Sequence, residues 1–144
     1  MQYAFGTAQH ETDFTLNEVD VEMSGFCSKG IFQLSEEEAG QAHNPGANLL
    51  DLDDSCQVLM SISAHRLDMI AQEAKLVASN PFPPDAWAYL VIAHNQGPMA
   101  AVKTIRRYGL DWAAYKQRNA ITEPKLLAYG DDCISGGAKF PEGG

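Results

Sequence analysis

The segment Ala86-Trp87-Ala88-Tyr89-Leu90-Val91-Ile92-Ala93 constrains this chain more than any other. It is long enough for about two helical turns, and it is apolar nearly all round rather than along one stripe. A helix of that kind has no face to offer to water, so other elements must surround it. The segment therefore predicts a helix buried through the centre of a domain. Punctuation fixes its ends. Asn80-Pro81-Phe82-Pro83-Pro84 cannot continue a helix, Asp85 stands where a cap is wanted, and Asn95-Gln96-Gly97-Pro98 stops it.

Flanking stretches supply the surroundings. A first helix is expected from about Gln2 to Phe14, with Ala4, Ala8 and Glu11 on one face. Thr15 to Lys29 is mixed and glycine-containing, which reads as irregular chain or a short β segment, and Gly30-Ile31-Phe32-Gln33-Leu34 reads as a tight apolar turn. Ser35 caps a helix that opens on Glu36-Glu37-Glu38. Asp54-Ser55-Cys56-Gln57 has the form of a capping box and opens a long helix to about Ser79, striped by Val58, Leu59, Ile62, Met69, Ile70 and Val77. Further helices are expected from about Met99 to Tyr108 with Gly109 after it, from Asp111 through Trp112 and Tyr115, and from Thr122 to Tyr129 with Gly130 after it. The fold class is all-α, or α-rich α+β at most. One domain covers residues 1–130, and a loose Gly-rich tail covers 131–144.

Composition narrows the partners. A chain of 144 residues supports one sizeable core, and its hydrophobic fraction of 45% contains no run long enough to span a membrane. The net charge of -9 argues against DNA and RNA, whose phosphates require clustered Lys and Arg. It also removes long-range attraction to an anionic polymer, so recognition must come from a shaped groove. The three cysteines, Cys27, Cys56 and Cys133, are widely spaced and make no metal-ligand pattern, so they read as buried or tolerated thiols. His10, His43, His65 and His94 lack ligand spacing, and no Gly-rich phosphate loop is present, so neither a metal nor an organic cofactor is expected. Met1 to Gly6 carry no basic and apolar signal regions.

Three segments carry the chemistry: Glu11-Thr12-Asp13-Phe14, Gly30-Ile31-Phe32-Gln33-Leu34, and Ala93-His94-Asn95-Gln96-Gly97 at the end of the apolar helix. In this order the chain resembles the soluble lytic transglycosylase and goose-type lysozyme family, whose members show an E-S-x-F-like stretch, then G-L-M-Q-I, then an apolar helix ending A-Y-N-A-G. The resemblance spans roughly Ala4 to Tyr115. Thr12 stands where Ser is usual, His94 where Tyr is usual, and Gln96 where a small residue is usual. A compact phage-type member is one form such a chain takes.

The resemblance implies a lysozyme-like fold with a long buried central helix and a substrate groove. It implies cleavage of the MurNAc–GlcNAc β-1,4 bond of bacterial peptidoglycan, with Glu11 as general acid. Gln33 and Asn95 are then expected to bind substrate, with Phe32, Tyr89 and His94 as further groove neighbours. Asp13, Asp20 and Glu22 are the candidates for a second carboxylate. Such an acid must stay protonated near neutral pH, and a Glu beside Ala8, Phe14 and a buried helix is desolvated in the required direction. If Glu11 also acts as base, the product is a 1,6-anhydro sugar; if a carboxylate holds water, it is a reducing end. The expected state is a monomer acting in the periplasm or cell wall, delivered by a phage, exported by another route, or part of a longer protein. Each residue also has a plainer use: Glu11 as a solvated helix carboxylate, Gln33 as a cap on its own backbone, Asn95 as a helix terminator. The alternative is a non-catalytic glycan-binding or structural module of a virion or secretion apparatus, against which the presence of Glu11 argues. A chitinase-like enzyme is a third option, and it would want a second carboxylate well placed across the groove.

Overall fold

The central segment folds as a helix over Pro84–Gln96 whose residues Ala88 to Ala93 are all buried. In the computed structural model, which describes residues 2–25, 27–76 and 82–135, this is α4. The other elements are α1 (Gln2–Thr12), β1 (Val19–Val21), β2 (Cys27–Lys29), α2 (Glu36–Gln41), α3 (Leu52–Glu73), α5 (Pro98–Tyr108), α6 (Trp112–Asn119) and α7 (Pro124–Ser135). Among the described residues the protein is thus helix-rich with one small sheet, as its sequence predicts. No helix of the described residues is long and apolar enough to cross a membrane.

α4 packs against α3, α5, α6 and α7, and α7 lies along α1. Leu90, Val91 and Ile92 of α4 meet Val58 and Ile70 of α3 in the core. Burying each such side chain contributes about 1.5–3 kcal/mol before the entropy of ordering it is subtracted. The α1–α7 contact is close because Gly6 has no side chain. A Cβ there would lie 2.8 Å from Cys133 Cα, and the buried Cys133 fills the crossing beside Thr7.

Several helix ends differ from expectation. α1 stops at Thr12 rather than Phe14, because Asp13 and Phe14 adopt left-handed backbone with φ of 50° and 65°. Their amides close the helix on Gln9 O and Ala8 O, a glycine-free version of a common C-cap. α3 begins three residues early. Asp51 is its N-cap and accepts from Asp54 N at 3.1 Å, while the Asp54 carboxylate is occupied by Asn48 N at 2.7 Å. It ends at Glu73; the expected end near Ser79, with Val77, lies outside the described residues. α4 starts on Pro84, which needs no N–H partner in the first turn. Asp85 therefore does not cap α4, and its carboxylate accepts from Trp112 N at the start of α6. α7 passes through Gly130 to Ser135. The reason is packing: a Cβ at Gly130 would lie 2.1 Å from Trp112 Cζ2, so glycine here admits the indole rather than ending the helix. The tail expected from residue 131 begins as helix, and residues 136–144 lie outside the described residues.

β1 and β2 pair antiparallel, Val19 with Lys29 and Val21 with Cys27. Lys29 also bridges Leu34, which closes the turn Gly30–Gln33. This hairpin and turn stand beside the C-terminal end of α1, where Glu11 sits.

Candidate active site

Glu11 is on the last turn of α1, with its side chain 23% exposed. The end of that helix is tied down by its neighbour. Thr12 Oγ1 donates to Ile31 O at 2.9 Å and accepts from Thr15 N at 3.1 Å, so the helix end is fixed to the Gly30–Gln33 turn. Gly30 is required in that turn. Its φ is 81°, and a Cβ would lie 1.8 Å from Leu49 O. Gln33, at φ 51°, turns its amide back: Nε2 donates to Gly30 O at 3.1 Å and to Glu18 O at 3.3 Å.

An open cavity of about 500 Å³ lies over this turn. Glu11, Gln33, Asp20 and Glu22 line it, together with Glu38, Arg66, His94 and Asn95. A second cavity of about 340 Å³ lies on the other side of Glu11 and Asn95, between α1 and α7, against His10, Leu126 and Tyr129. Glu11 and Asn95 thus stand at the junction of two open spaces. Among the described residues no three His, Cys, Asp or Glu side chains converge as ligands for a metal ion.

Electrostatics single out Glu11. Burial pushes its pKa from 4.5 up to about 7, and the carboxylates of Glu38 and Asp20 add to the rise by repulsion. The Tyr129 hydroxyl faces it and opposes part of that rise. The Tyr129 ring is held by stacking on His10 at 4.9 Å, and His10 Nε2 lies 2.6 Å from Asp132 Oδ2. Its hydroxyl is buried without a hydrogen bond of full geometry. A carboxyl in this setting holds a proton near neutral pH and sits where a proton can be delivered to a ligand in either cavity.

Behind Glu11 a charged cluster packs under α4. Arg66 Nη2 donates to Glu38 Oε2 at 3.0 Å, and both side chains are largely buried. Glu38 Oε1 takes the Ser35 N–H at 3.1 Å and the Ser35 hydroxyl at 3.2 Å, completing the capping box of α2. His94, with its side chain 4% exposed, lies between the two acids: Nε2 is 3.6 Å from Glu11 Oε1 and Nδ1 is 3.8 Å from Glu38 Oε2. Burial holds the imidazole below its ordinary pKa; Glu38 opposes this and Arg66 adds to it.

Of the residues singled out in the sequence, Glu11, Gln33, Asn95, His94, Asp20 and Glu22 come together around the larger cavity. Three do not. Tyr89 is wholly buried, and its hydroxyl reaches Gly109 O and Asp111 O at 3.3 Å, where it joins α4 to the α5–α6 link. The Phe32 ring belongs to the core; only its carbonyl faces the site, toward His94 Nε2 at 3.3 Å. Asp13 is exposed in the C-cap of α1 and is not among the residues lining either cavity. Gln33 combines both of its sequence readings, because it lines the cavity while its NH₂ group binds its own turn.

The sequence missed Arg66, Glu38 and Tyr129 as site residues. Glu38 had read as part of the acidic start of a helix, and Tyr129 as the last residue of one. One local signal did exist for Glu38: Ser35 three residues before it is a capping-box spacing, which turns a Glu side chain back along the chain. No family model, no curated protein and no solved structure matches this chain.

Proposed function

We propose that this chain is a lysozyme-like glycosidase that cleaves the MurNAc–GlcNAc β-1,4 bond of bacterial peptidoglycan, in the periplasm or cell wall, with Glu11 as its general acid. One observation carries the proposal. A single carboxyl, pushed by burial to a pKa of about 7, stands at the junction of two open cavities, where a polymer can lie across it. The leaving oxygen of a glycosidic bond is a poor base and needs that proton in the transition state. The motif order that resembles the lytic transglycosylases and goose-type lysozymes supports the same assignment. Gln33 and Asn95 line the cavity beside Glu11, where the Gln33 amide oxygen and the Asn95 amide are available to N-acetyl and hydroxyl groups.

Departure of the leaving sugar creates an oxocarbenium-like centre, and its fate defines the product. Attack by the muramyl 6-hydroxyl, with Glu11 taking the proton, closes a 1,6-anhydro ring. Attack by water leaves a reducing end. Asp20 and Glu22 line the same cavity as Glu11, which favours water activated by a carboxylate from the β1 side.

Digestion of purified peptidoglycan followed by mass spectrometry of the muropeptides tests this. Soluble muropeptides are expected from the native chain and none from Glu11→Gln. Reducing ends identify the hydrolase and 1,6-anhydro ends the transglycosylase. No products from the native chain would overturn the enzymatic assignment, and retained binding to the glycan would then mark a binding module.

A further inference from the structure

The two nitrogens of His94 face partners that dictate one protonation state. Nε2 lies 3.3 Å from Phe32 O, which only accepts, so Nε2 carries the hydrogen. Nδ1 lies 3.4 Å from Arg66 Nη1, which only donates, so Nδ1 offers its lone pair. Both constraints select the same neutral tautomer. The Nε2 that carries this hydrogen also lies 3.6 Å from the Glu11 carboxyl. Arg66 is itself fixed, since its other terminal nitrogen donates to Glu38, and Glu38 is locked to Ser35.

We infer that Arg66 and His94 are positioning residues for Glu11: the guanidinium occupies His94 Nδ1, so the ring stays neutral and turns an N–H toward the catalytic carboxyl instead of a positive charge. This assignment rests on Glu11 being the acid of the proposed reaction. Its physical logic is exclusion. An imidazolium between Glu11 and Glu38 has two acids to pair with, and that pairing works against the burial that keeps the ring neutral. An imidazolium there draws the proton off Glu11 and leaves a carboxylate that cannot protonate a glycosidic oxygen. Arg66 adds to the burial by placing a fixed positive charge against Nδ1, which offsets the attraction of Glu38. The charged and titratable groups facing the pair come from every side: Glu11 and the Tyr3 hydroxyl from α1, Glu38 from α2, Asp20 from β1 and Tyr129 from α7. None of them is a cation, so among the described groups Arg66 is the positive charge that acts with burial of the ring against the pull of Glu38.

The test has two arms, and the first needs neither substrate nor variant enzyme activity. The ¹⁵N spectrum of the native protein should show His94 as a neutral ring between pH 5 and 8, with a protonated Nε2 and an unprotonated Nδ1; His94→Gln identifies its signals among the four histidines. An imidazolium, or the opposite tautomer, in that range overturns the inference. In Arg66→Met, close in volume and uncharged, His94 should become an imidazolium near neutral pH. The second arm is the pH–rate profile. Arg66→Met should move the basic limb down by about one to three pH units. The double variant Arg66→Met/His94→Gln should bring that limb back up, since Gln presents an N–H and cannot become charged. A purely structural role for Arg66 lowers the rate at all pH values without moving the limb, and that result overturns the inference. If the native protein cleaves no peptidoglycan, the Glu11 carboxyl titration followed by ¹³C carries the second arm in place of the rate. The proposed function and the positioning role therefore fail separately.

Discussion

At the scale of single residues, the cost of Glu11 is measurable. In the unfolded chain a Glu ionises near 4.5, and in the fold Glu11 ionises near 7. Below pH 4.5 both states are protonated and the residue imposes no electrostatic cost. As pH rises toward 7 the unfolded state loses its proton first, so stability falls, and above 7 the loss levels off. A shift of that size corresponds to roughly 3 kcal/mol, reduced somewhat because the carboxyl is partly solvated. Glu11→Gln should therefore match the native protein in stability at pH 4 and exceed it by about 2–3 kcal/mol at pH 8. Denaturant melts at the two pH values check this; an equal gap at both would mean the carboxyl is not held neutral in the fold. In the proposed reaction the same titration sets the rate, which should decline above about pH 7 as Glu11 loses its proton. Glu11 itself was legible in the sequence as a candidate acid. Its raised pKa was legible only as a direction, because the burial that sets it, and the Glu38 and Tyr129 groups that adjust it, come from other elements.

At the scale of elements, the site depends on two short pieces of strained or constrained backbone. Asp13 and Phe14 close α1 in left-handed conformations without glycine, a conformation that costs of order 1 kcal/mol or more per residue. The Gly30–Gln33 turn, pinned to α1 through Thr12, repays this by completing the ties that hold Glu11 at the cavity. Gly30→Ala should be the sharpest probe of the turn. The added methyl clashes with Leu49 O and requires an unfavourable φ, so a loss of at least about 2 kcal/mol is expected, together with loss of activity as Glu11 shifts. Thermal unfolding and rate measurement on the same sample check both. Helix interiors were well predicted because period and propensity are local. Helix ends were less so. Asp54 looks like a cap, but a loop amide claims its carboxylate; Gly130 looks like a stop, but Trp112 needs the space it leaves.

At the scale of the molecule, the charge of -9 sets how the chain meets a polymer. The cavity itself is acidic, with Glu11, Asp20, Glu22, Glu37 and Glu38 set against Arg66. Peptidoglycan, the proposed substrate, carries carboxylates on its stem peptides, so on that proposal long-range forces are repulsive and binding must come from short-range contacts in the cavity. Rates at low substrate concentration should rise as sodium chloride is increased from about 20 to about 200 mM, where the screening length falls to roughly 7–8 Å from about three times that. A fall over that range would show a local basic patch steering the glycan instead. The dependence should be weak in kcat and visible in kcat/KM, because salt acts on the encounter.

The sequence by itself determined the helix-rich class, the buried central helix and the three segments that meet around the cavity. These are properties of nearby residues: an apolar run with no polar face, proline and glycine punctuation, and a tight apolar turn opened by Gly30. Tertiary structure decided which of those side chains face the cavity. It sent Tyr89 and the Phe32 ring into the core and left Asp13 outside, since a local pattern says that a residue is apolar or acidic but not which neighbour covers it. It also assembled Glu38, Arg66 and His94 behind Glu11, from positions 28 residues apart along the chain in each step. No periodicity announces a cluster of that kind, because its energy comes from charges that are neighbours only after α2, α3 and α4 have packed.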